Sequence, residues 1–206
     1  MPRLQLVIFD CDGVMFDSLD ANRAYYNHIL AHFGHPPMDD EALQYVHVRH
    51  VADSVRFIFR HYPADYEAAE AYRLTLDYSP YLKFMRMEPD LVTFLQFLRP
   101  EHRMAISTNR STTMASILTI FGLAPYFDKV VTAMDVTNAK PHPEALQKIF
   151  AHFGLGPEES IYIGDSQVDM EHTQAVGMRM IAFKNPTLPA DFHVNSFMEI
   201  TKLPIF

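Results

Sequence analysis

No tryptophan occurs in this sequence, and cysteine occurs once, at Cys11. A lone cysteine cannot close an intrachain disulfide, which suits a reducing compartment. Basic residues are short as well: 17 Lys and Arg stand against 25 Asp and Glu, a net charge of −8 with the 11 histidines neutral. A non-specific nucleic-acid binder needs a basic face, so no nucleic-acid partner is expected. No apolar run approaches the roughly 18 residues that cross a bilayer. The apolar start is cut short by Asp10 and Asp12, which leaves no signal-peptide core. No membrane partner is expected, and the expected location is the cytoplasm. Glycine is sparse, with seven in 206 residues. Gly154-Leu155-Gly156 lacks the third glycine of a dinucleotide fingerprint and follows a helix. Internal repeats and low-complexity stretches are absent too.

What remains is ordinary globular composition, 49% hydrophobic and 20% charged, which excludes disorder. The length fits one domain, or one domain carrying an insertion. Leu4–Phe9 reads as a buried strand ending in Asp-Cys-Asp-Gly. From Ser18 to Met87 the rhythm is helical. Tyr25, Ile29 and Phe33 recur at helical spacing before Gly34, and Val48, Val51, Val55, Ile58 and Tyr62 do the same. Beyond Glu88 the pattern alternates. Strands are expected at Arg103–Ser107, Val130–Ala133, Ser160–Ile163 and Arg179–Phe183. Helices are expected from an Ser111 N-cap to Phe121, from Pro143 at the first helical position to Phe153, and over Gln167–Val176. This predicts an α/β fold: a Rossmann-like parallel sheet formed by residues 1–17 and 88–206, with an all-helical insert over 18–87.

In an open parallel sheet, ligands bind outside the carboxyl ends of the strands. Here those ends carry Asp10 and Asp12, then Thr108 and Asn109, then, a loop later, Lys140, then Asp165 and Asp169. Four carboxylates in one small site repel one another, and either protonation or a divalent cation relieves this. The oxygens on offer suit Mg²⁺ rather than Zn²⁺. Thr108, Asn109 and Lys140 supply donors and positive charge for a phosphoryl group. One carboxylate can act as nucleophile, and another can move the proton.

Phe9-Asp10-Cys11-Asp12-Gly13-Val14, Thr108-Asn109, Lys140-Pro141-His142-Pro143-Glu144 and Gly164-Asp165-Ser166-Gln167-Val168-Asp169 resemble, in order, the four motifs of the haloacid dehalogenase superfamily. The helical insert is similar to the cap of the branch that contains phosphoglycolate phosphatase and β-phosphoglucomutase. The resemblance implies Asp10 as nucleophile and Mg²⁺ ligand, and Asp12 as general acid/base giving the metal its backbone carbonyl. It implies Thr108 and Lys140 on the phosphoryl oxygens with Asn109 in support, Asp165 as third metal ligand, and Asp169 steadying the metal's water or Lys140. Dehalogenases of the superfamily lack the second aspartate, so Asp12 points to phosphate chemistry. The implied activity is Mg²⁺-dependent hydrolysis of a small phosphorylated metabolite through an aspartyl-phosphate. A sugar phosphomutase on the same scaffold is the alternative.

Each motif has a plainer reading alone. An EF-hand is excluded, because Met15 and Ala21 stand where its glycine and glutamate belong. Thr108-Asn109 alone would suit a helix cap, Lys140 a solvated loop, and Asp165 and Asp169 a helix's first turn. Cys11, between two aspartates, reads as structural. His28 and His32 stand four apart, as on an ordinary helix face or a metal pair. Arg49, Arg56 and Arg60 share a face that is either solvated, with Asp53 beside Arg49, or turned by Arg49 to a substrate anion or hydroxyl. Lys83 is the candidate a phosphonate hydrolase would need for a Schiff base.

Overall fold

The structure, a computed structural model, describes residues 3–48 and 51–206, without the side chains of 47, 48 and 52. The chain runs through β1 (Leu6–Phe9), β2 (Phe16–Asp17), α1 (Leu19–His32), α2 (Asp40–Val48), α3 (Val51–Ile58) and α4 (Tyr66–Thr75). It continues through β3 (Arg86–Met87), α5 (Leu91–Leu98), β4 (Arg103–Ser107), α6 (Met114–Ile120), β5 (Lys129–Val131) and α7 (Glu144–Phe153). It ends with β6 (Ser160–Gly164), α8 (Gln167–Gln174), β7 (Arg179–Phe183), β8 (Phe192–Val194) and α9 (Phe197–Ile200). Two compact units result. One joins Met1–Phe16 to Met87–Phe206, and the other is Asp17–Arg86. The connecting strands β2 and β3 pair with each other.

The larger unit is the expected Rossmann-like core. Its six strands lie in the order β5-β4-β1-β6-β7-β8, and neighbours are parallel. β1 is central, with β4 on one side and β6 on the other, so the direction of chain progression reverses there. That reversal opens a crevice at the strands' carboxyl ends. Register fixes what faces it. Phe9 pairs with Ile106 and with Ile163, so Asp10, Ser107-Thr108 and Gly164-Asp165 leave the sheet side by side.

β1 is apolar throughout because it is covered on both faces. Leu6 and Ile8 pack with Tyr162 and with Ala145, Leu146 and Ile149 of α7. On the other face, Phe9 meets Phe94 of α5 and Phe197 of α9, each at 6.1 Å between ring centroids. Phe94 and Phe197 stack on each other at 5.4 Å.

Several boundaries differ from the sequence expectation. The helix expected from Ser111 begins at Met114 with Thr113 as its N-cap residue, because the preceding turn is tied down by Arg110. The expected strand to Ala133 stops at Val131, where Thr132 and Asp135 form a capping box that starts a 3₁₀ turn. Pro143 precedes α7 as its N-cap rather than opening it. Elements α5, β8 and α9 were not expected.

The helical unit packs Tyr25, Tyr26, Ile29 and Leu30 of α1 with Leu43 and Val46 of α2, Val55 and Ile58 of α3, and Phe59. Of the apolar spacing from Val48 to Tyr62, Val48 lies in α2 and Val51, Val55 and Ile58 lie in α3. Both turn their stripes to one core, and Pro63 starts a 3₁₀ turn after Tyr62. The His28–His32 pair is engaged by Tyr72. The tyrosine ring stacks on His32 at 3.7 Å, and its hydroxyl lies 2.9 Å from His28 Nε2. Arg56 and Arg60 are exposed, lying over the rings of Tyr66 and Phe57. Arg49 lies outside the described residues. Lys83 is exposed beside Phe84. Among the described residues no helix is long and apolar enough to cross a membrane.

Phe94 is fully buried at the centre of the aromatic cluster. Phe94→Ala should lower the unfolding free energy by about 3–5 kcal/mol, read from urea melts. A loss below about 1 kcal/mol would show that the cluster does not support the sheet.

Candidate active site

The centre of the site is a buried ammonium. Lys140 Nζ lies 2.7 Å from Asp10 Oδ1, 2.7 Å from Asp169 Oδ1 and 3.1 Å from the Tyr162 hydroxyl. Three acceptors match its three N–H bonds. Burial works against its charge, but Asp10 and Asp169 outweigh this and hold the ammonium protonated well above the usual lysine range.

The loop that delivers Lys140 is fixed at both ends. Asn109 accepts from the Lys140 backbone N–H at 2.9 Å and donates to its carbonyl at 3.1 Å. Glu144 accepts the N–H groups of Thr137 and Asn138, each at 2.9 Å, which holds its carboxyl down at about 2. The Lys140–Pro141 peptide bond is cis.

Asp169 is fully buried and surrounded by donors. Besides Lys140 it meets Ser166 Oγ at 2.6 Å, the N–H of Ser166 at 3.2 Å and the N–H of Asp165 at 3.3 Å. Burial alone would raise its pKa, but Lys140 and these bonds bring it below the ordinary aspartate range. Ser166 and Asp169 together form the capping box of α8. Asp169 is thus saturated by the chain itself.

Asp165 is different. No ion pair reaches it among the described residues. Burial, then the charges of Asp10 and Asp169, push its carboxyl up to about 8. Asp10 is pushed up to about 7, chiefly by burial, against the opposing pull of Lys140. One oxygen each from Asp10, Asp165 and Asp169 lie within 4.8 Å of one another. Three acids sharing one lysine leave excess negative charge, and the donors are all hard oxygens. The set fits a divalent cation of the oxygen-binding kind. Asp169 is already committed, so Asp10 and Asp165 have the capacity to ligate. Gly13 permits the approach: at its φ of +78°, an added Cβ would stand 2.0 Å from Asp165 Oδ2.

Asp12 points to a different partner. Its two carboxylate oxygens meet Arg110 Nε at 2.7 Å and Nη2 at 2.6 Å. Thr108 is buried, its N–H donating to the Val131 carbonyl and its Oγ1 accepting the Arg110 N–H at 3.1 Å. Neither Thr108 nor Asn109 caps a helix. Cys11 is buried, and burial followed by Asp12 raises its thiol, consistent with a structural role.

The structure therefore brings Asp10, Asp12, Thr108, Asn109, Lys140, Asp165 and Asp169 to one sheet edge. It adds three residues that the sequence reading passed over. Arg110 follows Thr108-Asn109 without any spacing signature. Tyr162 reads as core, but a tyrosine in a buried strand needs a partner for its hydroxyl. That hydroxyl lies 2.9 Å from the Ser107 carbonyl, as donor, and 3.1 Å from Asp169 Oδ1. His172 is fully buried beside it, Nε2 3.1 Å from Ser107 Oγ.

Tyr162→Phe leaves the Ser107 carbonyl without this donor, so it should lower the unfolding free energy by about 1–3 kcal/mol in denaturant melts. Unchanged stability would remove the hydroxyl from the network. Burial, then Lys140, lowers His172 to about 4 from an ordinary 6.5. The unfolded chain then binds the extra proton first, so stability falls as pH drops from 6.5 to 4. His172→Asn should flatten this slope relative to the parent protein. Parallel stability–pH curves over that window would refute it.

The family profile of haloacid dehalogenase-like hydrolases matches residues 7–183. Phosphoglycolate phosphatase 1 of Pseudomonas aeruginosa is 28% identical over 194 residues, 88% of this chain and 69% of that protein. A pyrophosphatase of Bacillus pumilus is 26% identical over 180 residues, 85% of this chain and 81% of that protein. The crystal structure of a haloacid dehalogenase-superfamily hydrolase, subfamily IA, from Geobacter sulfurreducens matches with a TM-score of 0.85 at 38% identity. It covers 97% of this chain and 95% of that one. With its four motifs at one sheet edge and a family match across most of its length, this chain belongs to the haloacid dehalogenase-like hydrolase family.

Proposed function

We propose that the chain is a Mg²⁺-dependent phosphatase that hydrolyses a small phosphomonoester through an aspartyl-phosphate on Asp10. The observation that carries this reading is the Lys140 ammonium, held 2.7 Å from the Asp10 carboxylate by a second, saturated carboxylate. Such a site has a nucleophile and a fixed positive charge for a phosphoryl oxygen in one place.

Asp10 attacks phosphorus with one carboxylate oxygen. The bond to the ester oxygen breaks, its electron pair leaves with that oxygen, and Asp12 gives the proton that neutralises it. A water then attacks the aspartyl-phosphate and loses its proton to Asp12. The bond between phosphorus and Asp10 breaks, which regenerates the carboxylate and frees inorganic phosphate. Lys140 and the Thr108 hydroxyl hold the phosphoryl oxygens, and Asn109 holds the Lys140 loop. Asp10, Asp165 and the Asp12 backbone carbonyl would hold the cation, with Asp169 fixing Lys140. Bound there, the cation supplies Lewis-acid stabilisation of phosphoryl charge and offsets the excess acid. In this reading the α/β unit carries the chemistry and the helical unit serves as the cap.

The relatives' names make phosphoglycolate and inorganic pyrophosphate the first natural substrates to assay. A sugar phosphomutase would use the same residues. It would differ in a phosphoenzyme that persists in water and discharges onto a hexose phosphate, so lifetimes with and without that acceptor separate the two.

Purified protein should cleave p-nitrophenyl phosphate with Mg²⁺ and lose this activity in chelator. Full turnover after verified metal removal would refute the metal assignment. Asp10→Asn should abolish both turnover and phosphoenzyme. Asp12→Asn should slow alkyl phosphate hydrolysis by about 10²–10⁴-fold. A phosphoryl group trapped on any residue other than Asp10 would overturn the scheme.

A further inference from the structure

We propose that Arg110 is a positioning residue for Asp12, fixing the carboxylate plane from which Asp12 exchanges protons in both steps. The inference rests on the phosphatase reading above. Asp12 has two jobs of opposite direction, and it sits on a loop where rotation about its side-chain bonds would carry the acid away from the reacting oxygen. The structure holds it by a two-point contact. Arg110 Nε and Nη2 meet Oδ2 and Oδ1 at 2.7 and 2.6 Å. A planar fork on a planar carboxylate fixes orientation, which a single ammonium does not.

The guanidinium is itself anchored. The Arg110 side chain is 10% exposed, against 32% for Asp12. Its Nη1 donates to Thr113 Oγ1 at 3.1 Å, its backbone N–H donates to Thr108 Oγ1 at 3.1 Å, and its carbonyl accepts the Ala133 N–H at 2.9 Å. Three consecutive residues thus divide the site between them. Thr108 stands at the sheet edge, Asn109 locks the Lys140 backbone, and Arg110 locks the Asp12 side chain. The two cations also divide the acids. Lys140 serves Asp10 and Asp169, while Arg110 serves Asp12. Guanidinium does not give up its proton at working pH, so Asp12 remains the group that moves one.

The test is a double-mutant cycle. Arg110→Gln and Arg110→Lys are made in the parent chain and in Asp12→Asn, with folding checked by urea melts. Steady-state kcat/KM is read with glycerol phosphate, whose leaving group needs protonation, and the p-nitrophenolate burst is read with p-nitrophenyl phosphate. In the parent background, either substitution should lower kcat/KM for glycerol phosphate by at least about tenfold. The burst rate should change less than about threefold, because p-nitrophenolate leaves without help. In the Asp12→Asn background, Arg110→Gln should change the burst rate and kcat/KM less than about twofold, since the carboxylate it positions is gone. Arg110→Lys keeps the charge and loses the fork, so it should fail like Arg110→Gln. Equal losses on both substrates, a full loss retained in Asp12→Asn, or no loss at all would each overturn the proposal. A parent protein without metal-dependent turnover, or one whose turnover survives Asp10→Asn, would instead overturn the phosphatase reading itself.

Discussion

The Lys140 ammonium between Asp10 and Asp169 is the interaction on which the rest of the site depends. A buried ion pair is weak evidence for stability, because desolvation offsets most of the Coulombic gain. Here its role is arrangement. Asp169 is bound by Lys140, Ser166 and backbone N–H groups, so it does not move. Lys140 cannot leave Asp169 without exposing a buried charge, and Asp10 is held by Lys140. Only Asp165 is left without a partner cation among the described residues, and its raised pKa records that imbalance. Protein contacts therefore fix Asp10, Asp12 and Asp169 at this edge and leave the Asp165 carboxyl without an ion pair among the described residues.

The sheet explains why these groups meet. β1, β4 and β6 are adjacent and in register, so their last residues emerge at a single edge. Their side chains are buried on both faces, which allows no register slip without turning apolar groups into water or polar groups into the core. The precision of the site is inherited from Leu6-Val7-Ile8-Phe9 and its partners. Stability and chemistry are thereby separated along each strand.

Much of this was legible in the sequence, for a physical reason. A parallel strand buried on both faces reads as a continuous apolar run, and a polar group just beyond it must lie at the carboxyl edge. Asp10, Thr108, Lys140, Asp165 and Asp169 fall together at that edge for this reason. Elements without a periodic signal leave no such mark. α5 is apolar nearly all round, β8 is three residues long and α9 is four, so neither a 3.6 nor a 2.0 period develops. Tyr162 was hidden because a tyrosine in an apolar strand reads as core, and His172 because it stands in a polar helix where its burial leaves no mark in the sequence. Arg110 was hidden because its partner lies 98 residues away. Long-range pairing of single side chains leaves no local trace.

That same distance sets when the protein acquires its chemistry. Asp10 comes first of the three in chain order, whereas Lys140 lies 130 positions later and Asp169 29 beyond that. Until Lys140 has been made, Asp10 has no counter-charge from this triad. A growing chain therefore carries the Asp10 carboxylate through those 130 residues without the ammonium that holds it. The triad is completed late in chain order, so a fragment that stops before Lys140 carries Asp10 without its fixed partner.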